Sequence, residues 1–396
     1  MHNNGYGHSV ILEEQPSAKP RISFVTSWNA KCGIAEYTRY LVDAIGSRAV
    51  CTIIADHGAD LIRNDDESVV RCWRRRHWTE AEVEEIVSQI VNTQPDVVSI
   101  QFPIFHLIGG STLLRVISLL KRAGIGVSIT LHSPWNNPEI VEALRHADAV
   151  IAHRLDDLVR LKEHGVPYSF RQPQGIARFD GVRGVADAKA PCNDGVFTIG
   201  TFGFFMPHKG IFEILAAFRW ALRVNPGLRL RILSSMYPQP ALRPYVAFCI
   251  AWMRAQGLSS RVHLWTEFME ERQIVTRLSE CDLVVLAYTH TQEASSAAIR
   301  MPLASMTPVL CSDLPIFDEF SEAVHRFPAG NTVELAQRIL TLASDRELLT
   351  SKAKAHADLV ASMSWEKIAG KFLQIVVEEN RTPDGRTLAD QATVQN

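Results

Sequence analysis

Two segments of this 396-residue chain place a glycine-containing loop between an apolar run and a helical pattern. Residues 26–36 enter their helix at Gly33, and residues 201–211 carry Lys209 at the helix entrance. Backbone N–H groups at a helix N-terminus attract anions, whereas a lysine there is unfavourable unless it meets one. The second segment therefore predicts a diphosphate site, and the first could equally be an ordinary strand-to-helix turn.

Two titratable side chains follow apolar runs in the same way. His132 leaves the run of residues 127–131, and Glu293 follows residues 283–287 just before a helical stretch. In parallel sheets ligands sit beyond the carboxyl ends of the strands, which makes His132 a candidate catalytic group. Most histidines are nevertheless surface or core residues, and Glu293 could simply match the dipole of its helix.

Residues 71–78 interleave cationic side chains with two indoles, Trp73 and Trp78. Such a segment could touch anionic lipid headgroups or a lipid-diphosphate acceptor. A solvated basic surface turn is the preferred interpretation.

Short apolar runs alternate with segments of helical period, twice along the chain, which indicates two stacks of β-α units around parallel sheets. The predicted strands are Ile22–Thr26, Val50–Ala55, Val97–Gln101, Val127–Leu131 and Ala149–Ala152, then Val196–Phe202, Leu228–Ser234, Val262–Trp265, Leu283–Ala287 and Val309–Cys311. Thr79 and Glu82 form a capping box that predicts a helix start.

The predicted organisation has two domains and a final helix outside the second sheet. The boundaries are a disordered tail over 1–20, a first Rossmann-like domain over 21–177, a linker over 178–194, a second such domain over 195–362, the final helix over 363–380 and a disordered tail over 381–396.

Composition limits the classes of function. The chain is 46% hydrophobic and 21% charged with a net charge of −2, which is typical of a globular protein and gives no reason to expect a nucleic-acid partner. It has no run long enough for a membrane span and no signal-peptide pattern, so a cytoplasmic protein is expected. Its seven cysteines are scattered without zinc spacing, and no metal site or other cofactor is predicted.

Taken together, these motifs resemble the retaining glycosyltransferases of the family-4 type, which have the GT-B fold. The resemblance covers residues 21–379 and rests on the segment from Cys32 to Arg39, on Leu131-His132, on the loop from Gly203 to Gly210, and on residues 293–309. It implies two Rossmann-like domains facing across a cleft, with the first on the acceptor side and the second on the donor side. It also implies a final helix that crosses back to the first domain.

The resemblance implies roles for individual residues. Gly33 would approach the donor phosphates, His132 would lie beside the transferred sugar, and Lys209 would neutralise the diphosphate, with Gly203 and His208 in the same loop. Glu293 would face the sugar, near the backbone amides of Ala294, Ser295 and Ser296. The reaction implied is front-face substitution with retention and without a metal.

Two positions depart from the family pattern. Met301 stands where a second glutamate usually meets the ribose, and Phe204 stands where an arginine often precedes the loop lysine. The expected function is hexose transfer from a nucleotide diphosphate sugar to a glycan or lipid-linked acceptor in bacterial surface polysaccharide synthesis. A peripheral contact with the inner membrane surface is a further expectation. The alternative is a non-catalytic GT-B protein that binds a nucleotide sugar or a partner transferase.

Overall fold

The computed structural model describes residues 18–30, 32–58, 61–74, 76, 78–102, 109–132, 135, 137–179, 181, 195–237, 239–290 and 298–378. The predicted disordered tails fall largely outside these residues, as does most of the predicted linker.

The first sheet has seven parallel strands in the order β3-β2-β1-β4-β5-β6-β7. The strands are β1 (Arg21–Thr26), β2 (Val50–Asp56), β3 (Val69–Trp73), β4 (Val97–Phe102), β5 (Gly126–Leu131), β6 (Ala149–Ala152) and β7 (Ser169–Arg171). The helices between them are α1 (Gly33–Ile45), α2 (Glu80–Asn92), α3 (Gly110–Arg122), α4 (Pro138–Arg145) and α5 (Leu155–Glu163).

The second sheet has six parallel strands in the order β10-β9-β8-β11-β12-β13. The strands are β8 (Phe197–Phe204), β9 (Leu228–Ser235), β10 (Val262–Trp265), β11 (Leu283–Leu286), β12 (Val309–Ser312) and β13 (His325–Phe327). Its helices are α6 (Ile211–Val224), α7 (Arg243–Ala255), α8 (Glu271–Ser279), α9 (Arg300–Ala304), α10 (Thr332–Ser344), α11 (Arg346–Thr350) and α12 (Ala353–Ser362). The predicted fold class, two parallel-sheet α/β units, is confirmed.

Local sequence explains the central elements. Strands β4, β5, β6, β11 and β12 are buried along their whole length, as expected where helices cover both faces of a parallel sheet. The capping box at Thr79 forms as predicted: its side chain accepts a hydrogen bond from the Glu82 N–H, and the Glu82 carboxylate accepts one from the Thr79 N–H.

The final helix returns to the first sheet, as predicted. Helix α13 (Trp365–Leu373) continues into a π-helical turn over Gln374–Glu378 and packs against α1. The Phe372 ring stacks on Phe24 of β1 with centroids 5.6 Å apart. The last helical segment therefore shares a core with the first strand of the chain.

Three short strands were not predicted, and each lies at the edge of a sheet: β3, β7 and β13. They contain Arg or His and bury fewer positions than the central strands, so their apolar pattern is weak. Strand β3 also corrects the interpretation of residues 71–78 as a solvated turn. Trp73 is fully buried, with its indole N–H donating to the Ile54 carbonyl at 3.0 Å, and Trp78 is buried beside it.

No helix within the described ranges is long and apolar enough to cross a membrane.

Candidate active site

The end of β8 and the loop that follows it are shaped by two glycines at positive φ, Gly203 in the strand and Gly210 directly before α6. Gly203 has φ 144° and Gly210 has φ 72°. A Cβ at Gly210 would lie 1.7 Å from the Ala287 carbonyl oxygen, so only glycine fits between this loop and the end of β11. The Thr289 N–H donates to the His208 carbonyl at 3.0 Å and ties the same two segments together. The loop is thus held against the neighbouring strand by backbone contacts.

Lys209 is buried at this position, which excludes a solvated first-turn lysine. A short 3₁₀ turn, Pro207–Lys209, brings it to the start of the 14-residue helix α6. Its ammonium lies 4.2 Å from the ring centroid of the buried Tyr288, a cation–π contact that offsets part of the cost of burying the charge. Lys209 therefore stands directly before the positive end of α6, and both its ammonium and the helix dipole favour an anion.

The loop after β1 is more open. Helix α1 begins at Gly33 after Cys32, whose side chain makes no capping hydrogen bond. Of the described residues, none places a heavy atom within 4 Å of a Cβ built at Gly33. Packing against the described residues thus gives no reason for a glycine here.

His132 follows β5 and contacts protein groups through both ring nitrogens. Its Nε2 lies 2.9 Å from Gln101 Oε1, and its Nδ1 lies 3.1 Å from Nε2 of His153. The Tyr37 ring meets the His132 ring edge-on, with centroids 4.7 Å apart. Burial, with a smaller contribution from His153, lowers the pKa of His132 well below its usual value, so the ring is neutral at neutral pH.

His153 was not singled out by the sequence analysis, although the same rule would have found it. It follows β6 directly, as His132 follows β5, and these two strands are neighbours in the sheet. Tyr37 was also missed as a site residue; its hydroxyl is buried and has no hydrogen-bond partner in the described part of the protein. Only the fold brings these side chains together.

Arg300 and Met301 begin helix α9. The buried Arg300 forms an ion pair with Glu319, with Nη2 and Oε1 3.1 Å apart, and its Nε donates to Gln174 Oε1 at 3.1 Å. Met301 is half-buried and packs against an apolar cluster that includes Leu233. Whether a ribose approaches it stays a prediction.

The remaining predicted site residues, Glu293, Ala294, Ser295 and Ser296, fall in residues 291–297, outside the described residues. Within the part of the chain that the structure describes, no group of three or more His, Cys, Asp or Glu side chains is arranged to hold a metal ion. Gly203 near the end of β8 lies close in sequence to His208 and Lys209 in the turn that follows, whereas Gly33 begins α1 and His132 follows β5 in the first half of the chain.

The two halves of the molecule contact each other beside this region. Helix α1 reaches α8 through Tyr40 and Arg39, both of which donate to the Glu271 carboxylate, Arg39 at 3.1 Å. The Tyr40 ring also stacks on Trp365 at 5.3 Å. Glu271 of α8 is therefore a point where the second half of the chain contacts the first.

Comparison with solved structures identifies the fold. A glycosyltransferase from Rickettsia africae aligns with a TM-score of 0.72 and 15% identity over 92% of this chain and 99% of that one. Sucrose-phosphate synthase from Thermosynechococcus elongatus aligns with a TM-score of 0.69 and 15% identity over 96% of this chain and 100% of that one. Anabaena Alr3699/HepE, solved with UDP and glucose, aligns at 0.65 and 16% identity over 91% of this chain and 100% of its own.

The chain has the GT-B fold. No protein-family model matches the sequence, and no curated protein matches it either. At these identities the structural likeness establishes the architecture, and function has to be argued from the site.

Proposed function

We propose that this protein is a glycosyltransferase that moves a hexose from a nucleotide diphosphate sugar to a glycan or lipid-linked acceptor. The observation that carries the proposal is the buried Lys209 at the start of α6, in a loop that only glycine at position 210 allows. A cation and a helix N-terminus at one point suit a diphosphate, whose negative charge grows as the glycosidic bond breaks. The UDP and glucose bound to the structurally similar HepE agree with this class of donor.

Each predicted site residue has a role in this proposal. Lys209 neutralises the leaving diphosphate, with Gly203 and His208 shaping its loop. Gly33 offers open backbone to the donor phosphates, and His132 lines the sugar from the first sheet. The proposal assigns contacts with the sugar to Glu293 and the backbone amides of residues 294–296, and contact with the ribose to Met301.

We further propose that transfer proceeds with retention, by front-face substitution in which the leaving phosphate oxygen helps to deprotonate the acceptor hydroxyl. Proton NMR of the first product formed would show the configuration of its anomeric centre, and an inverted product would contradict this step. The donor is a substrate, and no other cofactor enters the scheme. The biological setting proposed is surface glycan synthesis at the cytoplasmic face of a bacterial membrane.

Turnover should not require a divalent ion, because Lys209 and the N-terminus of α6 would supply the positive charge that a metal supplies elsewhere. Activity measured in excess EDTA should equal activity without it. Complete loss of turnover in EDTA, restored by Mn²⁺ or Mg²⁺, would refute this part of the proposal.

The donor can be identified by a thermal-shift panel of UDP-, GDP- and ADP-hexoses with the matching diphosphates. A ligand at about 100 times its Kd stabilises a protein by roughly 2.7 kcal/mol, which produces a measurable change in Tm. Slow release of free hexose from the selected donor, without an acceptor, would support an enzyme. Binding without turnover on any acceptor would favour the alternative, a non-catalytic GT-B protein.

Lys209→Met tests the central residue. The change keeps the apolar part of the side chain and removes the charge, so turnover should fall on the order of 100- to 1000-fold, about 2.7–4 kcal/mol in the transition state. Lys354→Met is the matched control, because Lys354 is an exposed lysine in the first turn of α12. Near-normal turnover by a folded Lys209→Met protein would remove this lysine from the mechanism.

A further inference from the structure

Two histidines lie side by side just beyond the carboxyl ends of two neighbouring inner strands of the first sheet, β5 and β6. Leu131, the last residue of β5, pairs in register with Ala152, the last residue of β6. The residues that follow them, His132 and His153, are therefore next to each other. Their rings are 4.9 Å apart between centroids, and His132 Nδ1 lies 3.1 Å from His153 Nε2. One of these two nitrogens must carry the hydrogen that joins them.

The backbone decides which nitrogen carries it. His153 Nδ1 lies 2.8 Å from the Gln172 carbonyl oxygen. A carbonyl oxygen only accepts, so Nδ1 of His153 must hold a hydrogen. Burial lowers the pKa of His153 to about 4, so at neutral pH its ring is neutral and has a single N–H. Its Nε2 is then an acceptor, and His132 must donate to it from Nδ1.

The Gln101 side chain completes the network on the other side of His132. Its carboxamide contacts His132 Nε2 through one atom, and through the other it contacts Ser99 Oγ at 3.0 Å. With Nε2 of His132 unprotonated, the carboxamide nitrogen must face the ring, and its oxygen must accept from the Ser99 hydroxyl. Nitrogen and oxygen of a carboxamide are assigned from such networks. The opposite orientation would require a third hydrogen on the two rings and hence a buried imidazolium.

One aromatic ring and one positively charged side chain lie close to the pair. Tyr37 of α1 packs against both rings, with centroids 4.7 Å from His132 and 5.3 Å from His153. Arg300 of α9 lies close enough for its charge to lower the pKa of His153 further, although it is paired with Glu319. A second positive charge at this point would be both buried and repelled.

We propose that His153 is a positioning residue that, through the Gln172 carbonyl, fixes His132 as the neutral tautomer with hydrogen on Nδ1. His132 then lines the sugar as a ring of fixed orientation and neither accepts nor releases a proton during transfer. The catalytic part of this inference rests on the proposed function. The tautomer itself does not.

NMR of the ¹⁵N-histidine-labelled full chain tests the tautomer directly. Long-range proton–nitrogen correlations should show hydrogen on Nδ1 of both rings, a pattern that stays unchanged from pH 8 to pH 5.5. The signals are assigned by their loss in His132→Asn and His153→Asn. Hydrogen on Nε2 of His132, or a charged His132 at pH 7, would overturn the proposal.

Two substitutions of His153 test the consequence for transfer. His153→Leu removes the acceptor, so His132 should lose its fixed tautomer and turnover should fall about tenfold, the lower end of what losing an orienting partner costs at metal-bound histidines. His153→Gln offers an amide oxygen to His132 Nδ1 and should restore most of the rate and the Nδ1–H signal. Full activity of His153→Leu with an unchanged signal would contradict the positioning role.

The outcomes separate this inference from the proposed function. If the protein turns over no donor yet shows the Nδ1–H pattern, the glycosyltransferase proposal fails and the tautomer assignment holds. If it transfers sugar but shows the other tautomer, only the inference fails. Should His153→Leu not fold, the spectrum of the unmodified protein still decides the tautomer.

Discussion

The two histidines after β5 and β6, His132 and His153, and the turn after β8 that carries Lys209 each lie just beyond inner strands of their own sheet, yet they differ in charge and in backbone. The first is built from neutral, hydrogen-bonded rings whose pKa values burial lowers. The second holds a cation over Tyr288, in a loop that needs glycine. In the proposed function, this difference places charge at the diphosphate and keeps the sugar side neutral. Lys209→Met, with the largest expected effect on turnover, is the first way to test this comparison.

Replacing Gly210 or Gly33 by alanine should change the free energy of unfolding to very different extents. Gly210→Ala combines a positive φ with a Cβ against the Ala287 carbonyl, so a loss of at least about 2 kcal/mol in the free energy of unfolding is expected. Gly33→Ala has open space at the new Cβ and should leave Tm nearly unchanged while weakening donor binding.

Thermal melting of both variants, with the donor and without it, measures these effects. A Gly210→Ala protein as stable as the unmodified chain would show that the loop is less tightly held than its contacts indicate. A large loss of Tm in Gly33→Ala would show that this glycine has a structural role.

Acid should destabilise the protein through the His132 region. In the unfolded chain a histidine binds a proton below about pH 6.5, whereas the buried His153 resists protonation down to about pH 4. The contribution of such a histidine to the free energy of unfolding is therefore fully present above pH 6.5. It is lost as the pH drops from 6.5 toward 4, by up to about 1.4 kcal/mol per pH unit for each histidine.

Urea unfolding between pH 4.5 and pH 7.5 measures this slope. His153→Leu should be less steep by roughly one proton, although it starts from a lower stability. His57→Asn, which changes an exposed histidine, serves as the control. An unchanged slope in His153→Leu would show that His153 does not resist protonation in the folded protein.

The smallest effect is expected at the contact between α1 in the first half of the chain and α8 in the second. Arg39 contacts both Glu271, across the halves, and Asp43, on its own helix. The Glu271 side chain is 23% exposed and that of Asp43 is 63% exposed, so solvent screens the second pair more. A double-mutant cycle with Arg39→Met and Glu271→Gln should give a coupling energy of about 1 kcal/mol, and one with Asp43→Asn should give close to zero.

The same variants test whether Glu271 keeps the two halves of the chain together in solution. Small-angle scattering should show a larger radius of gyration for Glu271→Gln than for Asp43→Asn, because only the first change weakens a contact between the halves. Equal coupling energies and equal radii would mean that Glu271 does not hold the halves together.

The sequence by itself determined the parts of this protein that depend on local pattern. Alternating apolar runs predicted the central strands, and the Thr79 capping box predicted the start of α2. The final helical segment does not follow a predicted strand, which predicted a helix outside the second sheet. Buried parallel strands and helix caps are encoded within a few residues, so they can be predicted without knowing the fold. The position of Lys209 at a helix entrance could likewise be predicted from the local sequence.

Only the tertiary structure decided which distant groups meet. Edge strands such as β3 bury too little to show a clear period, so the burial of Trp73 could not be predicted from residues 71–78. His132 meets His153 because β5 and β6 are neighbours in register, and Lys209 meets Tyr288 because β8 and β11 are. Strand order and register arise from packing over the whole sheet, and these determine the partner, the tautomer and the pKa of each site residue.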